Sequence, residues 1–348
     1  MDGCAMCRSS CLYLQRRAVM TMVVKIVVTM VVVVNAISLM MYSPSGSVQT
    51  PVLSPMSSEG RSKASPPPSS NSTTSAVLPG GGVWERSEGL RQQVRQVCHA
   101  FNVSTSVTNF QLNNILVDEG RRLLYCSVPK VASTSWKRLW LAMTGATNTL
   151  EETRLLTRDE IHTHPYLRTL NHPSFEDTRW VMLASYRKML FVRHPLQRVV
   201  STFKDKLEGY TGRERLEFPK YIKQKIEERF GTRLGELVSF EDFVRFVVDQ
   251  GEDELVEMDP HWRSLHQMCN PCTIEYDFIG KFENLREDSS YALQWMGAGM
   301  DNLPRALYFT SSSLYAPGYL ALLNTHLRQA FLHKYLLDYI SFDYPFFV

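Results

Sequence analysis

The 348-residue sequence lacks a glycine-rich phosphate loop: no G-x-x-x-x-G-K-[ST] run occurs in it. That weighs against a P-loop kinase or nucleotide hydrolase, which would also need a magnesium-binding hydroxyl and an acidic partner. Net charge is scarce too. The total is +3; Arg8, Arg16 and Arg17 against Asp2, followed by Lys25, account for all of it. The rest of the chain is about neutral, so charge gives no argument for a nucleic-acid partner. Cys269-x-x-Cys272 has no second ligand pair at zinc spacing and does not clearly open a helix after a strand, so neither zinc nor redox work is indicated. No internal repeat is visible.

What is present is strongly segmented. Residues 18–42 are dominated by Val, Met and Ile, long enough to span a bilayer as a helix, with Lys25 near the start able to snorkel. Basic residues precede this run, so the positive-inside rule makes 1–17 a cytosolic tail and 18–42 a type II signal-anchor. A cleaved signal peptide, cut near Ser45-Gly46-Ser47, is the rival reading. Residues 43–88 are rich in Ser, Pro, Thr and Gly and read as a disordered stem. Asn71 opens a glycosylation sequon there, and Asn102 opens a second just beyond. Cys4, Cys7 and Cys11 precede the apolar run, as palmitoylation sites or free thiols. Cys98, Cys126, Cys269 and Cys272 follow it and admit three disulfide pairings in an oxidising lumen. We read Cys269 and Cys272 as structural and disulfide-bonded.

From residue 89 to 348 the composition is globular, with apolar strand-like runs alternating with helical segments. That predicts an α/β fold with a largely parallel sheet. Leu123–Val128 reads as a buried strand ended by Pro129, and Trp136–Met143 as a helix capped by Ser133 or Thr134. The loop between, with Lys130 and small hydroxylated residues at a helix N-terminus, is a phosphate cradle; a plain βα unit with a surface lysine is the bland alternative. Met189–Val192 is a second strand, with Arg193 at its C-terminal end and Pro195 opening a helix that carries Arg198 and Ser201. Arg193 and a helix hydroxyl could grip a second phosphate; an Arg that only braces a strand is the commoner fate.

Together, strand–PKxxS/T–helix and strand–RxP–xxxxxS–helix resemble the two elements of sulfotransferases that bind 3′-phosphoadenosine 5′-phosphosulfate (PAPS). Tyr125–Ala132 with Trp136-Lys137-Arg138 resembles the Golgi carbohydrate sulfotransferases acting on the 4-position of N-acetylgalactosamine, in chondroitin, dermatan and glycoproteins, and their relative that makes the natural-killer epitope. A third block, His261-Trp262, Cys269-Asn270-Pro271-Cys272 and Tyr276–Glu283, is similar to the same family. The resemblance implies a P-loop-like sulfotransferase fold and a Golgi-membrane enzyme with its catalytic domain in the lumen. It implies that Pro129, Lys130, Val131, Ala132, Ser133, Thr134 and Ser135 surround the 5′-phosphosulfate. It implies likewise that Arg193, His194, Pro195, Leu196, Gln197, Arg198, Val199, Val200 and Ser201 surround the 3′-phosphate. The chain departs from the family at Ser133-Thr134-Ser135, usually Cys, then Thr or Ser, then Asn, and at His194, usually acidic.

The reaction this implies needs no metal: Lys130 would stabilise the leaving phosphate, and a histidine would take the acceptor proton. His162 is placed first, because the resemblance puts a family histidine there, then His261, with His164 also a candidate. A glycan is the expected acceptor. The alternatives are a uronyl 2-O or 3-O acceptor, or an inactive Golgi glycan-binding protein. Between Lys204 and Arg233 nine Lys/Arg face six Asp/Glu, a groove for an anionic glycan or simply solvated helix faces. The aromatic tail Tyr335–Phe347 reads as core.

Overall fold

The computed structural model describes residues 81–103, 106–208, 217–251, 258–299 and 312–346. The tail, the apolar run 18–42, nearly all of the stem and Asn71 lie outside the described residues. No helix among the described residues is long and apolar enough to cross a membrane.

The fold opens with helix α1, Gly81–Ala100. The stem expected over 43–88 therefore gives way to helix at Gly81. Val83 and Ser87 continue the face that Leu90 and Val94 bury, so the same packing extends two turns upstream. Ser87 Oγ accepts the Ile279 N–H at 2.9 Å, and Arg91 Nε donates to the Tyr276 carbonyl at 2.9 Å.

A four-stranded mixed sheet follows: β1 (Ile115–Asp118), β2 (Leu123–Cys126), β3 (Arg187–Val192) and β4 (Phe278–Lys281), in that spatial order. β1 pairs antiparallel with β2, while β2, β3 and β4 run parallel. The largely parallel sheet expected from sequence is therefore present, with one antiparallel edge strand. β2 is buried throughout and β3 over its last four residues, as expected of strands covered on both faces. Tyr125, Trp136, Phe191 and Phe278 form a continuous aromatic seam, with Trp136 and Phe191 ring centroids 4.8 Å apart. Gly280 is required by this seam, because a Cβ there would meet the Phe191 ring at 2.5 Å.

Helices between and after the strands place the chemistry: α2 (Ser133–Met143), α3 (Arg158–Thr163), α4 (Pro195–Lys206), α5 (Glu217–Phe230), α6 (Phe240–Asp249), α7 (Leu265–Cys269), α8 (Leu285–Met296), α9 (Thr325–Lys334) and α10 (Leu336–Ser341). Along α5 the charges pair locally, Lys220 with Glu217, Lys223 with Glu227 and Lys225 with Glu228, as on a solvated helix face. The aromatic tail is core: Tyr335, Tyr339, Phe342 and Tyr344 are buried.

Two disulfides, Cys98–Cys272 and Cys126–Cys269, select one of the three pairings. Both converge on the turn after α7, tying it to α1 and to the end of β2. They close loops of 174 and 143 residues. Either alone would remove unfolded-chain entropy worth about 5 kcal/mol; with one closed, the other spans a much shorter circuit, so the two do not add.

Candidate functional site

In the β2–β3 register Cys126 faces Leu190, so the chain leaves both strands at one edge of the sheet. The loop from β2 and Arg193 from β3 emerge side by side there, the usual ligand edge of an open α/β sheet. Lys130 and Ala132 both adopt left-handed backbone, at φ 68° and 57°. Such residues cost of order 1–3 kcal/mol each and persist only where surroundings hold them. Two buried guanidinium groups do so: Arg193 Nη1 donates to the Lys130 carbonyl at 2.6 Å, and Arg198 Nε to that of Pro129 at 3.1 Å.

α2 starts at Ser133, one turn before the expected Trp136. Ala132 is its N-cap and supplies no side-chain hydrogen bond. The expected Ser133 or Thr134 cap is corrected accordingly: both lie inside the first turn, where their hydroxyls cannot serve as caps. The N–H groups of that turn are thus left uncapped by any side chain, facing the loop with the positive end of the helix dipole. Val131 is buried, while Ala132 and Thr134 are half-buried.

Lys130 is no free charge. Its Nζ lies 3.0 Å from Asp205 Oδ2, and Arg158 holds the same carboxylate through Nη1 and Nη2 at 3.3 and 3.2 Å. Burial pulls Lys130 down to about 8, with Asp205 partly offsetting it. Burial acts to raise the Asp205 carboxyl, but Lys130 and Arg158 overcome this and hold it below the ordinary carboxylate range.

His162 and Arg158 lie one turn apart on α3. The His162 ring sits between Thr134 Oγ1 (Nε2, 3.2 Å) and Lys137 Nζ (Nδ1, 3.1 Å). Desolvation, then Lys137 and Arg158, push His162 down to about 3. The residue remains solvent-exposed, so water screens part of this, and the ring is neutral at pH 7 either way. Burial lowers Lys137 to about 8. His261 lies within reach of the same charges, depressed by burial and by Lys206 and Lys130, and supported by Asp259. Its Nδ1 is 2.7 Å from Asp259 Oδ1. His164 stands apart, accepting the Tyr166 N–H through Nδ1 at 3.3 Å.

The second expected element divides. Arg193 is buried, its guanidinium 3.9 Å from the centre of the Phe282 ring. Burial lowers it to about 10. Pro195, Leu196, Val199 and Val200 face the core, Gln197 is half-buried, and Ser201 is buried on the same helix. Arg198 is 1% exposed and donates to the carbonyls of Pro129, Pro260 (2.7 Å) and Arg263 (2.5 Å), which makes it a clamp between two loops. His194 packs its ring against Tyr339 and Tyr344, with its backbone N–H on Glu283 Oε1 at 2.8 Å.

Sequence reasoning missed Asp205, Arg158, Lys137 and Asp259. Asp205 could have been found, since Arg198, Ser201 and Asp205 recur at helical spacing. Among the described residues no group of three or more His, Cys, Asp or Glu is suited to hold a metal ion. A cavity of about 340 Å³ between α1 and β4 contains none of these residues, and its Arg86 is spent on Glu287 and Asp288.

A strand–loop–helix with an uncapped N-terminus, beside a strand ending in a buried arginine, defines an anion-binding site of the open α/β class. Residues 113–345 match the Sulfotransferase family, and the chain belongs to it. It is 32% identical over 270 residues to carbohydrate sulfotransferase 11 of Danio rerio, covering 73% of this chain and 74% of that one. Identity to carbohydrate sulfotransferase 11 of Mus musculus is 35% over 218 residues, 60% of each chain, so the chain spans well under the whole of that relative. Carbohydrate sulfotransferase 8 of Homo sapiens is 31% identical over 295 residues, 77% of this chain and 66% of that one. No solved structure matches the chain.

Proposed function

We propose that the chain transfers the sulfuryl group of PAPS to a glycan hydroxyl, specifically the 4-hydroxyl of N-acetylgalactosamine in chondroitin, dermatan or glycoprotein glycans. The observation that carries this is the uncapped first turn of α2, with Lys130 and Arg193 converging on it from adjacent strand ends. The residues fit such a donor. Lys130, Lys137, Arg158 and Lys206 outnumber Asp205 and Asp259 around the loop, a balance that suits a ligand of several negative charges. Lys130 and the first N–H groups of α2 would hold the phosphosulfate and neutralise the leaving phosphate, while Arg193 and Ser201 would hold the 3′-phosphate. In-line geometry then asks only for an acceptor oxygen opposite the leaving group and a base beside it, for which the histidines near the loop, His162 and His261, are the two candidates. The relatives' names, all carbohydrate sulfotransferases, support a sugar acceptor.

Incubating the purified full chain with radiolabelled PAPS and a panel of desulfated glycans tests this. Label is expected on the 4-position of N-acetylgalactosamine. Failure to bind PAPS would overturn the donor assignment, and label on a uronic acid would overturn the acceptor.

We place the chain in the Golgi membrane with type II topology, residues 18–42 spanning and the domain lumenal. Two disulfides among the described residues support an oxidising compartment. Asn102 is exposed at a left-handed backbone position, accessible to a glycan. Expressed in cells, the chain should run faster on a gel after endoglycosidase treatment. Asn102→Gln should remove one step of that shift; a chain insensitive to the enzyme would count against a lumenal domain.

A further inference from the structure

Two histidines stand at the site, and their ring nitrogens are not equivalent. Lys137, a protonated donor at neutral pH, points its Nζ at His162 Nδ1 at 3.1 Å. The His162 proton then resides on Nε2, which donates to Thr134 Oγ1 at 3.2 Å. Both nitrogens of His162 are engaged, and neither offers a lone pair to a substrate.

His261 is arranged differently. Asp259 Oδ1 accepts from the His261 backbone N–H at 2.8 Å and from its ring Nδ1 at 2.7 Å. A carboxylate on Nδ1 fixes the proton there and leaves Nε2 as the acceptor nitrogen. The backbone around this pair is pinned. Thr202 Oγ1 donates to the His261 carbonyl at 3.0 Å, Arg198 holds the carbonyls of Pro260 and Arg263, and buried Trp262 donates through Nε1 to Gln250 Oε1 at 2.9 Å. The groups that act on His261 are Asp259 from its own segment, Lys206 from α4, Lys130 from the loop after β2, and His162 from α3.

We propose that Asp259 is a positioning residue that holds His261 in the tautomer whose Nε2 takes the acceptor hydroxyl proton, while His162 serves to fix Lys137 and Thr134 at the start of α2. The inference rests on the sulfotransfer reading. In the step, the sugar oxygen forms its bond to sulfur as its proton passes to His261 Nε2. The bond from sulfur to the bridging oxygen breaks, and the electron pair leaves with the 5′-phosphate of adenosine 3′,5′-bisphosphate beside Lys130. The imidazolium so formed is stabilised by Asp259 and later loses its proton to water.

The full chain, with PAPS and desulfated chondroitin, tests this through kcat, KM and pH. His261→Gln should lower kcat about 10²–10⁴-fold, the usual range for a lost general base. Asp259→Asn should lower kcat about 10²-fold with the KM for PAPS within about twofold of the parent. The neutral imidazole is the active form, and it predominates above its pKa. Removing the carboxylate disfavours the imidazolium, so the acid limb of the kcat profile should move to lower pH while the plateau falls. A purely structural Asp259 would lower the plateau without moving that limb, and would overturn the proposal. So would His162→Ala abolishing turnover while His261→Gln retains it. ¹⁵N-histidine spectra of the full chain read the tautomer independently of activity. A proton on His261 Nδ1 supports the assignment and one on Nε2 overturns it, whether or not sulfate is transferred. Absence of transfer by the parent chain alongside the Nδ1 tautomer would count against the sulfotransfer reading and not against the dyad.

Discussion

Lys130→Ala is expected to lower kcat/KM for sulfuryl transfer by about 10²–10³-fold, or ~3–4 kcal/mol, the range for removing one preorganised donor to developing charge. The loss should exceed that of a solvent-facing lysine, because the Lys130 side chain is only 10% exposed and acts at reduced dielectric. Removing it also leaves Asp205 facing the anionic donor with Arg158 alone to balance it. Donor affinity should therefore fall together with turnover. The pH dependence has a definite sign. Burial pulls Lys130 down to about 8, so its charge is present at neutral pH and lost as pH rises through that value. Activity of the parent chain should decline on the alkaline side, and the decline should be shallower in the residual rate of Lys130→Ala, where only Lys137, also lowered to about 8, still loses its charge. Initial rates against PAPS concentration across pH check both. Unchanged kcat/KM in the variant would remove Lys130 from the leaving-group site.

Arg198→Met should act on the fold, and reach the donor only through the loop that Arg198 braces. The guanidinium is buried and spent on the carbonyls of Pro129, Pro260 and Arg263. Truncating it strands buried acceptors, each worth about 1–3 kcal/mol when left unpaired. A total loss of about 3–5 kcal/mol is expected, since the loops can relax partly, and it corresponds to about 10 °C or more in Tm. Thermal unfolding of the purified chain measures it. A variant with the parent's Tm but weakened PAPS binding would reverse the assignment and restore Arg198 as a donor ligand.

The contrast between Arg198 and Lys130 shows what the sequence could disclose. The buried strand before Pro129, the strand ending before Arg193, the helix from Pro195 and the mostly parallel sheet were legible because each is written in local apolar runs and proline positions; β2 stops at Cys126, two residues short of the expected Val128. The register that sets the two strand ends side by side pairs segments distant in the chain, and local apolar runs do not write it. The cap of α2 was not legible: Ser133-Thr134-Ser135 offers several capping registers, and nothing marks Ala132 as left-handed, a conformation alanine rarely adopts. Its reason is tertiary, in two arginines pulling on the loop carbonyls. The Lys130–Asp205 pair and the Lys137–His162 contact join residues distant in the chain, which single-sequence periodicity cannot connect. His162 and His261 were both visible as candidates, but their tautomers depend on Lys137 and Asp259. Four cysteines left three pairings open until the turn after α7 brought Cys269 and Cys272 to different partners.

The pairing of Cys126 with Leu190 across β2 and β3 has a consequence for how such a protein can change. Two neighbouring parallel strands are spaced about 4.8 Å apart by backbone hydrogen bonds, which side-chain substitutions leave in place. If Lys130 and Arg193 grip opposite ends of PAPS, each strand end addresses one end of the donor. The distance between the two halves of the donor site is then a property of the main chain. Surface loops can vary, and with them the sugar presented to the sulfur, while the ruler that measures the donor stays the same length.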